Sequence, residues 1–274
     1  LQFIDDVYWI LIELNYLTNI GTHIMPNSKE IPQNETANLL SKKAMVVVAH
    51  ADDAEYGCSG TIAKLCSQNW DVTYVLCTNG SKGSSDKNMT SEKIAAIRRK
   101  EQIEAGRVLG LKDVAFLDYE DSVLEPSLSL RKDIARQIRK YRPDILITTY
   151  PARNLNSHYG LGHPDHIAAG EAAMAAVFPT ARDHLSFPEL LKEGYEPHKV
   201  SEVWIMGAPD PDLWVDVSGH METSINALLK HSSQMSRSDE EIKEMMYSGR
   251  RERAEGKGMT YAETFKRIII EKIN

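Results

Sequence analysis

The chain has 274 residues, of which 42% are hydrophobic and 26% charged, and its formal net charge is −7. This length and composition allow one sizeable hydrophobic core and do not require a second domain. The negative charge argues against nucleic acid as a partner, because proteins that bind a phosphate backbone usually present a basic stripe. Three cysteines in a chain of this size do not make a disulfide framework.

Residues 1–41 are predicted to be an N-terminal extension that leads into one domain at residues 42–274. The apolar run 7–12 follows two aspartates, and it is too short for a secretory signal or a spanning helix. Met25 and the polar segment after it resemble a natural start. Residues 1–24 are therefore interpreted as a misassigned start or an amphipathic extension, and we expect a cytoplasmic protein without a transmembrane segment.

Strand and helix patterns alternate from residue 44 to residue 177. Short apolar runs predict strands, and longer segments with apolar residues three and four apart predict helices. Such alternation is typical of right-handed βαβ units, so we predict an α/β, Rossmann-like three-layer fold with a mainly parallel central sheet. The predicted strands are 44–49, 72–78, 114–117 and 145–149, and the predicted helices are 57–68, 91–109, 128–141 and 167–177.

The rest of the chain is less regular. Three prolines and two histidines between residues 179 and 200 predict a lid or rim of a site. The charged segment 237–257 predicts no particular element. Further predicted elements are strands at 203–206 and 213–217, a helix at 219–235 and a closing helix at 261–270.

The first predicted strand ends in the sequence His50-Ala51-Asp52-Asp53. Ligands of open α/β sheets collect at the carboxyl ends of the strands, so these side chains are well placed for chemistry. Imidazole and carboxylate groups are typical zinc ligands, and a catalytic zinc usually has three protein ligands and one open position. His50 and Asp53 can supply two ligands. The later stretch His163-Pro164-Asp165-His166 is the obvious source of a third.

These two stretches, in this order, resemble the PIG-L/LmbE-like family of zinc-dependent N-acetylglucosaminyl de-N-acetylases. The resemblance runs from about residue 44 to residue 234 and includes a His-x-Ser-Gln stretch that begins at His231. Ala51 stands where the family usually has proline. Diacetylchitobiose deacetylases also tend to carry a small residue there, which favours their substrate. Each motif alone is weak, because Asp pairs and His-Pro-Asp-His often only begin a helix.

The resemblance implies Zn²⁺ as the cofactor, with the ligands His50, Asp53 and His166. It also implies that Asp52 is the general base, that His163 is a cation that stabilises the oxyanion, and that Asp165 holds His163 charged. These roles are chemically reasonable, because zinc acidifies water, a carboxylate accepts its proton and an imidazolium offsets the developing negative charge. The implied activity removes the acetyl group from an N-acetylglucosamine-type sugar or conjugate and releases acetate.

Three further residues are candidates for contact with the substrate. Ser81 lies in a Gly/Ser-rich loop after the second strand, where backbone N–H groups can bind a ligand. Arg98 belongs to an Arg-x-x-Glu stretch that the family shares, and it either orients an active-site group or forms a surface pair with Glu101. Tyr159 stands four residues before the second motif, whereas many family members have a tyrosine two residues before it.

Other functions stay open. The chain could be an amidase for a larger acyl or thiol-sugar conjugate, or a non-catalytic zinc- or sugar-binding protein. A nucleotide-binding module is disfavoured, because the segment from Gly57 to Gly60 lacks the G-x-G-x-x-G pattern and the acidic residues before it would repel a pyrophosphate. Related proteins form trimers or hexamers, so the resemblance also implies a homo-oligomer.

Overall fold

The computed structural model describes residues 42–155 and 161–270. The predicted N-terminal extension and Tyr159 lie outside the described residues. Within these limits, no helix is long and apolar enough to cross a membrane.

The described residues contain a seven-stranded sheet in the order β3-β2-β1-β4-β5-β7-β6. Strands β1 to β5 run parallel to one another, and β7 runs antiparallel to both β5 and β6. The prediction of a mainly parallel sheet is therefore confirmed. The strands are β1 (Lys43–Val48), β2 (Asp71–Thr78), β3 (Asp113–Tyr119), β4 (Ile145–Thr149), β5 (Glu202–Met206), β6 (Leu213–Asp216) and β7 (Ala262–Ile269).

The helices lie on both faces of this sheet, as a three-layer fold requires. In chain order they are α1 (Asp53–Ser67), α2 (Ser91–Leu109), α3 (Leu128–Tyr141), α4 (Pro164–Ala175), α5 (Glu189–Lys192), α6 (Met221–Leu228) and α7 (Asp239–Ala254). The predicted helix at 219–235 is shorter than expected, and α7 occupies the segment for which the sequence predicted no element.

Alternate side chains of β1 enter two separate cores, because successive residues of a strand point to opposite faces. Met45 and Val47 pack with α3 and α4, whereas Val46 and Val48 pack with α1 and α2. Burial on both faces explains the continuous apolar run of β1. The run stops at His50 because the strand there emerges at the carboxyl edge of the sheet.

The predicted closing helix at 261–270 is wrong, because this segment forms β7. Its apolar residues Ala262, Phe265 and Ile269 are spaced three and four apart and mimic a helical face. Pairing with β5 on one side and with β6 on the other decides the conformation. Tertiary pairing of this kind overrides a local pattern.

The prediction that residues 179–200 form a lid or rim of the site is also wrong. The backbone N–H of His198 donates to the carbonyl of Ala181, and the His198 ring lies 2.7 Å from the carbonyl of Pro143. Pro143 lies two residues before β4, so Ala181 and His198, near the two ends of this segment, lie toward the amino edge of the sheet. The two motifs lie at the opposite, carboxyl edge.

Candidate active site

The structure brings the three predicted metal ligands together. His50 follows β1, Asp53 begins α1, and His166 lies in the first turn of α4. His166 Nε2 is 3.0 Å from Asp53 Oδ1 and 3.2 Å from His50 Nδ1. His50 Nδ1 is 3.6 Å from Asp53 Oδ2. One loop and the starts of two helices therefore bring these ligand atoms into a single cluster.

These distances fit a small divalent cation. Bonds of about 2.0–2.1 Å to a tetrahedral ion place its ligand atoms roughly 3.3 Å apart. The two histidine nitrogens are 3.2 Å apart, and each lies within 3.6 Å of one of the two Asp53 carboxylate oxygens. Two imidazoles and one carboxylate are a typical donor set for zinc, and a fourth position is left for water or substrate. His163 borders the cluster, with a ring nitrogen within 4.8 Å of those of His50 and His166.

His50 is held from its other side by two carboxylates. Its Nε2 is 3.1 Å from Asp121 Oδ1 and 3.1 Å from Asp165 Oδ2. Burial opposes protonation of this ring, but hydrogen bonds with Asp121 and Asp53 raise the pKa of His50 to about 10. Carboxylates behind a ligand histidine fix the ring orientation and make the ligand more basic.

The Asp165 carboxylate contacts His50 and not the His163 ring for which the sequence predicted it. It also accepts hydrogen bonds from the backbone N–H groups of Ser122 and Leu124. Only the backbone N–H of Asp165 reaches His163, where it donates to Nδ1 at 3.2 Å. Burial and the neighbouring histidines lower the pKa of His163 below its ordinary value. The Asp165 carboxylate therefore contacts the predicted ligand His50, and although its charge favours the protonated form of His163, burial and the other histidines outweigh that effect.

Asp52 has a backbone conformation that is unusual for a residue with a side chain. Its φ is 90° and its ψ is −25°, and within the described residues its carboxylate does not cap α1. Left-handed backbone at such a residue costs about 1–3 kcal/mol and persists only where the surroundings enforce it. The interpretation of Asp52 as an ordinary helix cap is thus excluded.

The two adjacent carboxylates ionise differently. Burial and the nearby Asp53 carboxylate raise the pKa of Asp52 to about 7. Burial also disfavours the charged form of Asp53, but contacts with His166 and His50 outweigh it and hold the pKa of Asp53 well below its usual range. Asp53 is suited to bind a cation, and Asp52 is suited to accept and return a proton near neutral pH.

Arg98 lies behind the site and is buried. Its guanidinium donates to the carbonyls of Ala51 and Gly80, and it lies 3.8 Å from Asp52 and 3.7 Å from Asp121. It therefore connects the loops after β1 and β2 to the turn that carries Asp121. The interpretation as a surface pair is wrong, and contact of Arg98 with a substrate stays a prediction.

Ser81 is buried in the loop after β2. Its backbone N–H donates to Asn79 Oδ1, and the next N–H, of Lys82, donates to Asp121 Oδ2 at 3.0 Å. The loop is thus tied to the same carboxylate that holds His50. Whether Ser81 touches a substrate stays a prediction.

Sequence reasoning did not identify Asp121. It follows β3 in a polar Glu-Asp-Ser turn, at the same edge of the sheet as the first motif. The strand-end rule that singled out His50 would have found Asp121 if it had also been applied to β3.

Comparison with known proteins agrees with this geometry. Residues 45–177 match the family profile described as PIG-L, GlcNAc-PI de-N-acetylase. Diacetylchitobiose deacetylase of Thermococcus kodakarensis is 33% identical over 193 residues, which cover 70% of each protein. The chain belongs to the PIG-L family of de-N-acetylases. The sequence-based assignment to this family of hydrolases is therefore confirmed.

Other PIG-L relatives extend the match. A probable N-acetyl-alpha-D-glucosaminyl L-malate deacetylase of Bacillus anthracis is 29% identical over 207 residues, covering 74% of this chain and 85% of the relative. Among solved structures, N,N'-diacetylchitobiose deacetylase of Pyrococcus horikoshii, in complex with an inhibitor, superposes with a TM-score of 0.76 at 28% identity. That superposition covers 97% of this chain and 93% of the archaeal enzyme.

Proposed function

We propose that this PIG-L protein is a zinc-dependent hydrolase that removes the acetyl group from an N-acetylglucosamine-type sugar. The observation that carries the proposal is the cluster of His50, Asp53 and His166, next to which burial and the Asp53 carboxylate raise the pKa of Asp52 to about 7. The named activities of the relatives from Thermococcus and Bacillus support the substrate class. The small residue Ala51 favours a diacetylchitobiose-like sugar.

His50, Asp53 and His166 would hold the zinc ion. When bound, zinc supplies Lewis acidity, which acidifies water and polarises an amide carbonyl. Asp121 and Asp165 would keep the His50 ring oriented for this purpose, because both contact its Nε2.

The reaction needs one group that takes a proton from water and one that donates to the developing charge. Asp52 would accept the proton as the water oxygen bonds to the acetyl carbon, and would return it to the amine as the C–N bond breaks. His163 Nδ1 accepts a hydrogen bond from the Asp165 backbone, so the proton of a neutral ring is on Nε2. That N–H can donate to the oxyanion. The products are acetate and a free amine.

The proposal is tested by acetate release from N-acetylglucosamine and from diacetylchitobiose. The protein is stripped of metal, assayed, and assayed again after addition of one equivalent of zinc. Release that depends on zinc supports the proposal. Stoichiometric zinc binding without release from either sugar points to a larger conjugate, as an amidase would require. Failure to bind zinc contradicts the proposal.

The assembly and the location of the protein stay predictions. A homo-oligomer, a trimer or a hexamer, would have three or six times the chain mass of 30.8 kDa, and light scattering after gel filtration measures that mass directly.

A further inference from the structure

The peptide bond before Asp52 is held by two side chains of one helix. Its carbonyl oxygen, on Ala51, accepts a 2.8 Å hydrogen bond from Arg98 Nη2, and its N–H, on Asp52, donates to Gln102 Oε1 at 3.4 Å. Arg98 and Gln102 are one turn apart on α2 and share a face of that helix. Both the carbonyl and the N–H of this peptide are therefore held by hydrogen bonds directly before Asp52, the residue with the positive φ.

Gln102 is itself oriented by a second pair of buried groups. Its Nε2 donates a 3.0 Å hydrogen bond to Glu55 Oε1, and Glu55 Oε2 lies 3.3 Å from His231 Nε2. An ionised carboxylate only accepts hydrogen bonds. Glu55 therefore accepts a hydrogen bond from the NH₂ group of Gln102. The amide oxygen of Gln102 then faces the backbone N–H of Asp52 and accepts from it. We call Gln102, Glu55 and His231 the positioning cluster, and all three are fully buried.

His231 reaches the positioning cluster because the segment after α6 is fastened to α2. Glu101 accepts hydrogen bonds from the Ser232 hydroxyl and from both the backbone N–H and the hydroxyl of Ser233. Burial opposes protonation of His231, but contact with Glu55 raises the pKa of His231 above its ordinary value.

Stability alone is a poor reason for this arrangement. A buried pair of charged side chains often stabilises a fold no more than apolar residues of the same volume. The positioning cluster instead places a single acceptor, Gln102 Oε1, against the one peptide that sets the direction of Asp52.

We propose that Gln102, oriented by Glu55 and His231, is a positioning residue for Asp52. Together with Arg98 it holds the plane of the Ala51–Asp52 peptide and maintains the left-handed conformation that directs the Asp52 carboxylate. This inference rests on the proposed function in one respect, namely that Asp52 is the general base. The hydrogen bonds from Arg98 and to Gln102 fix the peptide whether or not the reaction takes place.

The test replaces Gln102 with methionine, which removes the amide and changes the side-chain volume little. The expected result for Gln102→Met is a kcat for acetate release that is roughly tenfold to a hundredfold lower, as small misplacements of a reacting group produce. KM and the zinc content per chain should stay at wild-type values. Glu55→Gln should lower kcat in the same way, because the Gln102 amide could then rotate by 180° and exchange its oxygen and its NH₂ group.

Ser224→Ala is the matched control. The Ser224 hydroxyl lies 2.5 Å from that of Ser59, which donates to the backbone carbonyl of Glu55 and not to its carboxylate, so Ser224 is buried nearby but outside the side-chain hydrogen bonds of the positioning cluster. Thermal unfolding is measured for all variants. An equal fall in kcat for Ser224→Ala would mean that any loss of a buried hydrogen bond loosens the site, and would overturn the inference. Unchanged kcat in Gln102→Met would also overturn it.

A crystal structure of Gln102→Met provides a measurement that does not depend on activity. The expected result is a rotated Ala51–Asp52 peptide and an Asp52 φ outside the positive region, whereas an unchanged φ contradicts the inference. If the wild-type protein releases no acetate, the proposed function has failed, and the φ of Asp52 still decides whether Gln102 holds the peptide.

Discussion

Asp52 and Asp53 are adjacent in the chain, yet their carboxylates have different surroundings. Asp53 lies within 3.6 Å of ring nitrogens of His50 and His166, whereas Asp52 lies 3.8 Å from the Arg98 guanidinium. The left-handed backbone of Asp52 lets two successive carboxylates turn toward different partners. One of them can bind a metal while the other exchanges a proton.

Asp52→Asn is expected to separate these two tasks. The substitution keeps the size of the side chain but removes its ability to accept a proton, so kcat should fall about 10²- to 10⁴-fold. Zinc should stay bound, because Asp52 is not among the proposed ligands, whereas His166→Ala should lose zinc. Acetate release and elemental analysis measure the two effects. Near-normal turnover by Asp52→Asn would show that another group accepts the proton.

Asp121→Asn is expected to weaken zinc binding through His50. Loss of a carboxylate behind a ligand histidine typically lowers metal affinity about 10- to 100-fold, and competition with a chelator measures this change. Asp118→Asn is the control, since that exposed carboxylate, three residues earlier, pairs with Arg99. Equal affinities for the two variants would contradict the role given to Asp121.

Residues of the two motifs were predictable because each motif is contiguous and follows a strand that ends at the sheet edge. Two features were harder to predict, namely the contact of Asp121 with His50 and the contact of the Asp165 carboxylate with His50. Asp121 reaches His50 through a turn whose path depends on the folded sheet. The direction of the Asp165 side chain depends on the backbone N–H groups of Ser122 and Leu124, which no spacing in the sequence indicates.

Among the elements, α2 and α3 begin and end where the sequence predicted. Thr90 and Ser127 cap their first turns, and Gly110 ends α2 in a left-handed conformation, so local chemistry marks the boundaries. Strand β7 has no such local marks. Its conformation depends on partners that are distant in sequence, which is why the spacing of its apolar residues was misleading.

Gly170 allows α4 to pack closely on β4. A Cβ at this position would lie 2.3 Å from the carbonyl oxygen of Thr149, a backbone atom that cannot move aside alone. Gly170→Ala is therefore expected to destabilise the fold by about 1–3 kcal/mol. Zinc affinity should fall as well, because His166 lies on the displaced helix. Chemical denaturation and zinc competition measure the two losses.

Gly249→Ala is the matched control for that substitution. Gly249 lies in α7, and the nearest atom to a Cβ there is the end of the Arg253 side chain at 3.9 Å. Alanine should stabilise the protein by about 0.5–1 kcal/mol through its helix propensity. If Gly170→Ala had the same stabilising effect, close packing of α4 would not be required.

For the whole molecule, the strand order places the site. The chain moves from β1 outward to β2 and β3, and then crosses to β4 on the other side of β1. The loops after β1 and β4 therefore diverge at their carboxyl ends and leave a crevice, where open α/β sheets bind their ligands. The first motif follows β1 and the second follows β4. Topology thus brings together residues more than a hundred positions apart.

Glu263 connects the C-terminal part of the molecule to the helix that carries Asp53. Its carboxylate accepts hydrogen bonds from the backbone N–H groups of Gly60 and Thr61 in α1, and from Arg250 in α7. Glu263→Ala would leave the Arg250 cation buried without its partner. Loss of one member of such a pair costs about 3–5 kcal/mol, and urea denaturation should show a loss of this size.

Glu202→Ala tests whether burial is the reason for that cost. Glu202 on β5 pairs with Arg267 on the neighbouring strand β7, and both side chains are partly exposed, so the loss of Glu202 should cost about 1 kcal/mol or less. In the wild-type protein, zinc release and loss of tertiary circular dichroism should occur at the same urea concentration, because Glu263 joins β7 to α1. Two separate transitions in the wild-type protein would instead show that the C-terminal strands unfold independently of the site, and that Glu263 does not couple them.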